Sequence, residues 1–243
     1  MRIKPAAAVI KRQTVTGSVA EELRRRIVTG EYVGGDQIRQ EAVAEELGVS
    51  RIPIREALLQ LEAEGLVVIH THKGAIVASL SADDAVDLFE ARLVLEALLL
   101  KKAVVAATEA DVARIDACMS EYERAVRNGA SPETLSGLNW AFHTALCEPA
   151  RRPRMMAILV SLYTATDRYL RLQIKTPQAK AKALDDHQKL YAAFKAGRAV
   201  VAARLIKAHI TGAYDDVMKQ LRKSGHGEAN GVPRSQARGL KVV

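Results

Sequence analysis

Between Gln40 and Val77 the spacing of apolar positions changes from helical to strand-like. Glu41-Ala-Val-Ala-Glu-Glu-Leu47 has helical spacing, Gly48-Val49 interrupts it, and a second helix runs from Ser50 to about Glu64. Gly48 suits a left-handed turn because it has no Cβ to clash, and Ser50 is an N-cap residue whose hydroxyl can satisfy an early backbone N–H. Ala44, Leu47, Val49, Ile54, Leu58 and Leu61 form the inward stripe. Arg51 and Arg55, four residues apart, are left on one outward face. After Gly65, the strands Leu66–Ile69 and Ala75–Val77 flank His70-Thr-His-Lys-Gly74, a two-stranded wing with a basic tip. The set predicts a winged helix-turn-helix. The first turns of its second helix are what such a motif inserts into a DNA major groove. An arginine fork there can bind guanine O6 and N7 together or clamp a phosphate.

Beyond Leu80 the pattern becomes helical only. Ser81-Ala-Asp-Asp84 reads as a capping box opening a helix to about Ala107. Further helices are expected over roughly 109–128, 132–147, 154–175, 177–195 and 199–222, punctuated by Gly129, Pro149, Pro153, Pro177 and Gly197. The predicted fold is mainly α: a winged helix-turn-helix followed by an all-α, six-helix antiparallel bundle, an architecture with room for a cavity between facing helices. The expected divisions are a flexible basic arm over 1–15, a DNA-binding domain over 16–80, an all-helical domain over 81–222, to which the resemblance described below assigns effector binding and dimerisation, and a disordered basic tail over 223–243.

Composition agrees with helices: 49% of the 243 residues are hydrophobic but only 4% aromatic. The net charge of +8 is less informative than its location. Residues 1–15 carry four basic and no acidic side chains, and 222–243 carry five basic and one acidic. The winged stretch 18–80 has seven basic and ten acidic residues, a net of −3. DNA binding must therefore rest on where Arg51, Arg55 and Lys73 point, with the tails adding non-specific phosphate attraction. No apolar run reaches the length of a membrane span, and Met1–Ile10 is too short and too soon followed by Lys11-Arg12 for a signal peptide. Cys118 and Cys147 form no framework pattern, as expected of a protein in the reducing cytoplasm.

Three histidines fall on apolar helix faces. His143 shares a stripe with Leu135, Asn139 and Leu146; His187 with Leu184, Leu190, Tyr191 and Phe194; His209 with Ala202, Leu205, Ile206 and Ala213. A single inward histidine is more often a hydrogen-bonded core residue than a ligand. Three in one small core leave several ring nitrogens needing partners, and a divalent transition metal supplies a shared one: zinc, with nickel or iron as alternatives. Asn139 lies one turn before His143, so its oxygen can join them. Arg92 lies on the inward line Leu88, Arg92, Leu95, Leu99, and a buried guanidinium needs an anion. Glu96, one turn on, is the intramolecular candidate; the carboxylate of a small organic acid effector is the other.

These residues carry a resemblance. Gly48-Val-Ser-Arg-Ile-Pro-Ile-Arg-Glu-Ala-Leu58, Leu61-Glu-Ala-Glu-Gly-Leu66 and Lys73-Gly-Ala-Ile-Val77 closely resemble the winged helix of GntR-type bacterial transcription regulators. The resemblance covers about Thr16 to Leu80. It implies that Ser50, Arg51 and Arg55 touch DNA, with Lys73 and Gly74 at the minor groove or backbone and Arg39 as a phosphate contact. Glu41 departs from relatives with a basic residue there. Asn139-Trp-Ala-Phe-His143, Asp186-His187 and Lys207-Ala-His209, with Phe89-Glu-Ala-Arg92, resemble the effector-binding (FCD-type) domain of the FadR branch, over about Asp83 to Lys219. Its length is similar to that of the vanillate-regulator subgroup. In metal-containing members the ligands are an acid and three histidines, which map to Asn139, His143, His187 and His209. Here Asn139 replaces the acid, and a neutral amide is a weaker ligand for a dication.

The leading expectation is a homodimeric transcription factor, a repressor, whose affinity for a double-stranded operator responds to a small carboxylate. Two alternatives remain. One is a sensor for which the metal itself is the signal. The other is a metal-dependent hydrolase or lyase fused to a DNA-binding module, against which stands the lack of a nucleophile motif, a phosphate loop, or any general base near the site beyond Asp185 or Asp186.

Overall fold

The computed structural model describes residues 14–71, 74–174 and 176–223. Residues 1–13 of the expected arm, 224–243 of the expected tail, and Lys73 at the wing tip lie outside the described residues. The chain divides into two compact units, 1–79 and 80–243.

The first unit opens with α1 (Val15–Thr29), absent from the sequence reading although Val19, Leu23 and Ile27 recur every four residues. Thr14 caps its start and Gly30 its end. A short strand β1 (Gln37–Ile38) leads to α2 (Gln40–Leu47), Gly48 turns the chain at φ +64°, and α3 (Arg51–Ala63) follows. Strands β2 (Val67–His70) and β3 (Gly74–Val77) form an antiparallel hairpin with Val67 opposite Val77 and His70 opposite Gly74; β1 adds to the far side of β3. Gly34 has no room for a side chain, since a Cβ would lie 2.8 Å from the Ser79 Cα. Ile54, Leu58 and Leu61 are buried with Leu23, Leu66 and Val77, while Leu47 and Val49 pack at the margin.

Much of this unit's acidity is spent internally. Arg26 donates two hydrogen bonds to the Glu46 carboxylate, at 2.9 and 2.6 Å, and one to Glu22, tying α1 to α2. Arg24 grips Glu64 with two more, tying α1 to the end of α3. Bidentate pairs of this kind fix geometry as well as charge.

The second unit is helical throughout its described residues: α4 (Ala82–Ala106), α5 (Glu109–Arg127), α6 (Pro132–Cys147), a 3-10 turn (Glu148–Ala150), α7 (Pro153–Gln173), α8 (Pro177–Lys195) and α9 (Ala199–Lys223). Pro132, Pro153 and Pro177 sit in the first turns of their helices, where the missing N–H costs nothing. Helix α4 packs along α9, α7 and α6, and α5 rests on α6 and α8. Phe89, Leu99, Phe142, Leu190, Ile206 and Ile210 lie in the common core. Among the described residues no helix is long and apolar enough to cross a membrane.

One capping expectation changes. Ser81 does cap α4 through the Asp84 N–H, but the Asp84 carboxylate does not reach back. It accepts instead from the Tyr169 hydroxyl at 2.7 Å, and that hydroxyl accepts from the Ser81 N–H. Among the described residues, a complete capping box is at Thr108 and Asp111 of α5.

Candidate functional site

The candidate DNA face is the start of α3. Ser50, Arg51 and Arg55 are all exposed there. Ser50 occupies the N-cap position, but its hydroxyl makes no capping bond, since Pro53 at the third helical position has no N–H to offer; the Arg51 and Ile52 N–H groups stay available to a phosphate. Arg51 donates to Glu41, at the start of α2, across 2.9 Å in an exposed pair. Arg55 makes no ion pair among the described residues. Arg39 is exposed and stands at the N-cap of α2. Gly74 opens β3 at φ +73°, a conformation that suits glycine.

The second candidate site lies inside the helical unit. Helix α6 brings His143, α8 His187 and α9 His209 to one point: one ligand atom from each lies within 4.8 Å of the others, and all three are buried. Two of the rings are held by carboxylates the sequence reading did not connect to them. Glu96 lies 2.7 Å from His143 Nδ1, and Asp186 lies 3.3 Å from His209 Nδ1.

Ionisation fixes the roles of the nitrogens. Burial alone would raise the Glu96 carboxyl, but the charge of Arg92, then the interaction with His143, outweighs it and holds the group at about 2. Burial lowers His143 below the usual imidazole range, and Glu96 only partly offsets that. A neutral His143 beside an ionised Glu96 must donate from Nδ1, which leaves the Nε2 lone pair facing His187 Nε2 at 3.2 Å. Asp186 is held low chiefly by its hydrogen bond to His209, so His209 likewise donates from Nδ1. His187 is pushed well below the usual range, first by burial and then by the other two rings. Its Nδ1 is buried without a hydrogen-bond partner among the described residues.

This donor set fits a divalent transition metal. Three imidazoles converge, two of them held at Nδ1 by carboxylates, the usual support for metal-binding histidine. Asn139 is buried one turn before His143 on the same helix.

Arg92 is buried too. Its Nε donates to Glu96 at 2.9 Å, so the intramolecular partner weighed from sequence is realised. Three rings surround the guanidinium, which lies 5.2, 4.8 and 5.5 Å from the centroids of Phe89, Trp140 and Tyr163. Trp140 stacks on Tyr163 at 4.5 Å and donates its indole N–H to Asp167, which also accepts from Ser136 and from Arg171. Sequence reading missed this frame, because it is assembled from three helices: Phe89 and Arg92 on α4, Trp140 on α6, and Tyr163 and Asp167 on α7. The Tyr163 hydroxyl is buried beside Arg92 with no hydrogen-bond partner among the described residues. Cys147 is buried and Cys118 partly so, and both thiols are free.

Two family models match the chain: the gntR family of bacterial regulatory proteins over residues 15–77 and the FCD domain over residues 87–212. The HTH-type transcriptional regulator LutR of Bacillus subtilis (strain 168) is 30% identical over 210 residues, covering 78% of this chain and 94% of its own length. The HTH-type transcriptional repressor GlaR of Escherichia coli (strain K12) is 28% identical over 195 residues, covering 77% of this chain and 89% of its own. Among solved structures, E. coli McbR/YncC aligns with a TM-score of 0.73 at 20% identity, covering 85% of this chain and 98% of that one, a likeness of fold alone.

Proposed function

The chain belongs to the GntR family of bacterial regulatory proteins, with an FCD domain behind its winged helix, and on that premise we propose that a small organic acid, bound beside a divalent metal, sets its affinity for operator DNA. It is a transcriptional regulator, not an enzyme. The observation that carries the effector reading is the histidine trio, with its ligand atoms within 4.8 Å and two rings oriented by Glu96 and Asp186.

In this reading His143, His187 and His209 hold the metal, zinc before nickel or iron, and the Asn139 oxygen completes the protein's share. When bound, the ion supplies Lewis-acid attraction for a carboxylate oxygen. Arg92 pairs with the same carboxylate through its free guanidinium edge, and the Phe89, Trp140 and Tyr163 rings exclude water from that contact. Arg51 and Arg55 read bases, Ser50 and Arg39 touch phosphates, and Lys73 and Gly74 follow the wing into the minor groove or along the backbone. The working assembly is a cytoplasmic homodimer on a two-half-site operator, acting as a repressor released by its acid. A ligand can shift that equilibrium only by binding the two arrangements of the dimer unequally.

The test is a gel-shift titration of the full chain on the DNA upstream of its own gene, with zinc and a panel of carboxylic acids. Trp140, the sole tryptophan, reports ligand entry by fluorescence. Acid plus zinc is expected to release the DNA and change the emission. Operator binding that no acid alters, with or without zinc, rules out the effector reading and leaves the regulator in place. Release by zinc alone favours the sensor reading, which rests on the same histidines.

A further inference from the structure

The histidine cluster has a charge problem, and its solution gives Asn139 a role. Among the described residues the metal-capable group contains three histidines and no carboxylate. Asn139, the neighbouring candidate on α6, is 4% exposed and carries no charge either. Two acids lie behind the rings. Glu96 is matched by Arg92 at 2.9 Å. Asp186 is partly exposed and shared with the fields of Lys182 and Lys189. A dication among these imidazoles would bring two positive charges against at most one screened negative charge. Uncompensated charge in a buried site is strongly disfavoured, so further negative charge is required, from ionisation of a bound water or, more fully, from an entering anion. The buried, unpartnered Tyr163 hydroxyl is a donor an incoming anion can use, and Arg92 stands beside it.

We propose that Asn139 makes this a two-key site, in which a divalent transition metal and a small carboxylate each bind firmly only when the other is present, and weakly alone. The proposal rests on the metal-and-acid reading above and goes beyond it. A carboxylate at position 139 would supply a fixed counter-charge, leaving the metal resident and the acid as sole signal. An amide withholds that charge, so the regulator responds to coincidence. Coupling is reciprocal: the factor by which acid tightens metal equals the factor by which metal tightens acid.

The experiment measures zinc affinity of the full-length protein by competition with a chromophoric chelator in a nitrate buffer, with and without acetate as the minimal carboxylate. Three proteins are compared: the natural chain, Asn139→Asp and Asn139→Ala. Melting curves confirm that each is folded. Acetate is expected to tighten zinc binding to the natural chain by about tenfold or more, and zinc to tighten acetate equally. Asn139→Asp is expected to bind zinc more tightly without acetate and to lose most of the acetate effect, falling below about threefold. Asn139→Ala removes the amide oxygen but keeps the site neutral, so zinc weakens while the acetate effect persists. Zinc binding to the natural chain that ignores acetate overturns the two-key site but leaves the metal site standing. Retention of the full acetate effect in Asn139→Asp overturns it equally. Absence of zinc binding in all three proteins, with and without acetate, overturns the metal reading itself.

Discussion

In the winged unit Arg51 and Arg55 stand in solvent at the start of α3, whereas in the helical unit Arg92 is buried against Glu96 and three rings. Both candidate sites rely on arginine, but only the first presents it to water. An exposed arginine costs little to place and little to remove, so its value lies in what it meets. A buried one must be satisfied within the fold, and its removal or that of its partner disturbs the fold itself. Function and stability are therefore separable at the first site and entangled at the second.

The largest expected departure is at Glu96. Glu96→Ala leaves Arg92 buried without its carboxylate and His143 without its acceptor, and should lower unfolding stability by about 3–5 kcal/mol in denaturant titration. A loss below about 1 kcal/mol would mean the cage is wetter than its burial implies. Next comes Arg55→Ala, expected to weaken operator binding roughly ten- to a hundredfold in a gel shift, with an unchanged melting temperature. Unaltered affinity would remove α3 as the reading helix. Acid is the third probe. His143 and His187 are held below their unfolded value of 6.5, so the unfolded chain binds protons the folded one refuses. Stability is then complete above that value and declines as pH falls through it, approaching about 1.4 kcal/mol per pH unit for each excluded proton. Thermal melts from pH 8 to 5 should show this decline, and a flat profile would mean the histidines are protonated in place. The smallest effect belongs to Glu41→Ala. Its pair with Arg51 is solvent-exposed on both sides, so the melting temperature should not move. A measurable drop would show that the pair orders the turn between α2 and α3.

The same contrast governs how much could be read from the sequence. The winged helix was legible because its signals are local: Gly48 between two helices, arginines four apart, a hairpin around Gly74. Arg92 with Glu96 was legible for the same reason. The carboxylate behind His143 lies 47 residues away, and the one behind His209 lies 23 away, on other helices. Spacing along one helix says nothing of such pairs. Asp167 was invisible as the anchor of Trp140 on the same ground. Helix α1 was missed despite its four-residue repeat, because Gly17 near its start and three consecutive arginines blur the apolar stripe. The Ser50 hydroxyl shows the opposite error: residue type predicted a capping bond that the backbone there does not use.

The Tyr169 hydroxyl acts as a rivet. It joins the last turns of α7 to the opening of α4, one residue past the start of the second unit. Helix α7 also carries Tyr163, which touches the Arg92 cage, and Asp167, which steadies Trp140. Tyr169→Phe would keep the Arg92 cage and lose the pin, leaving α7 seated on α4 by its remaining contacts.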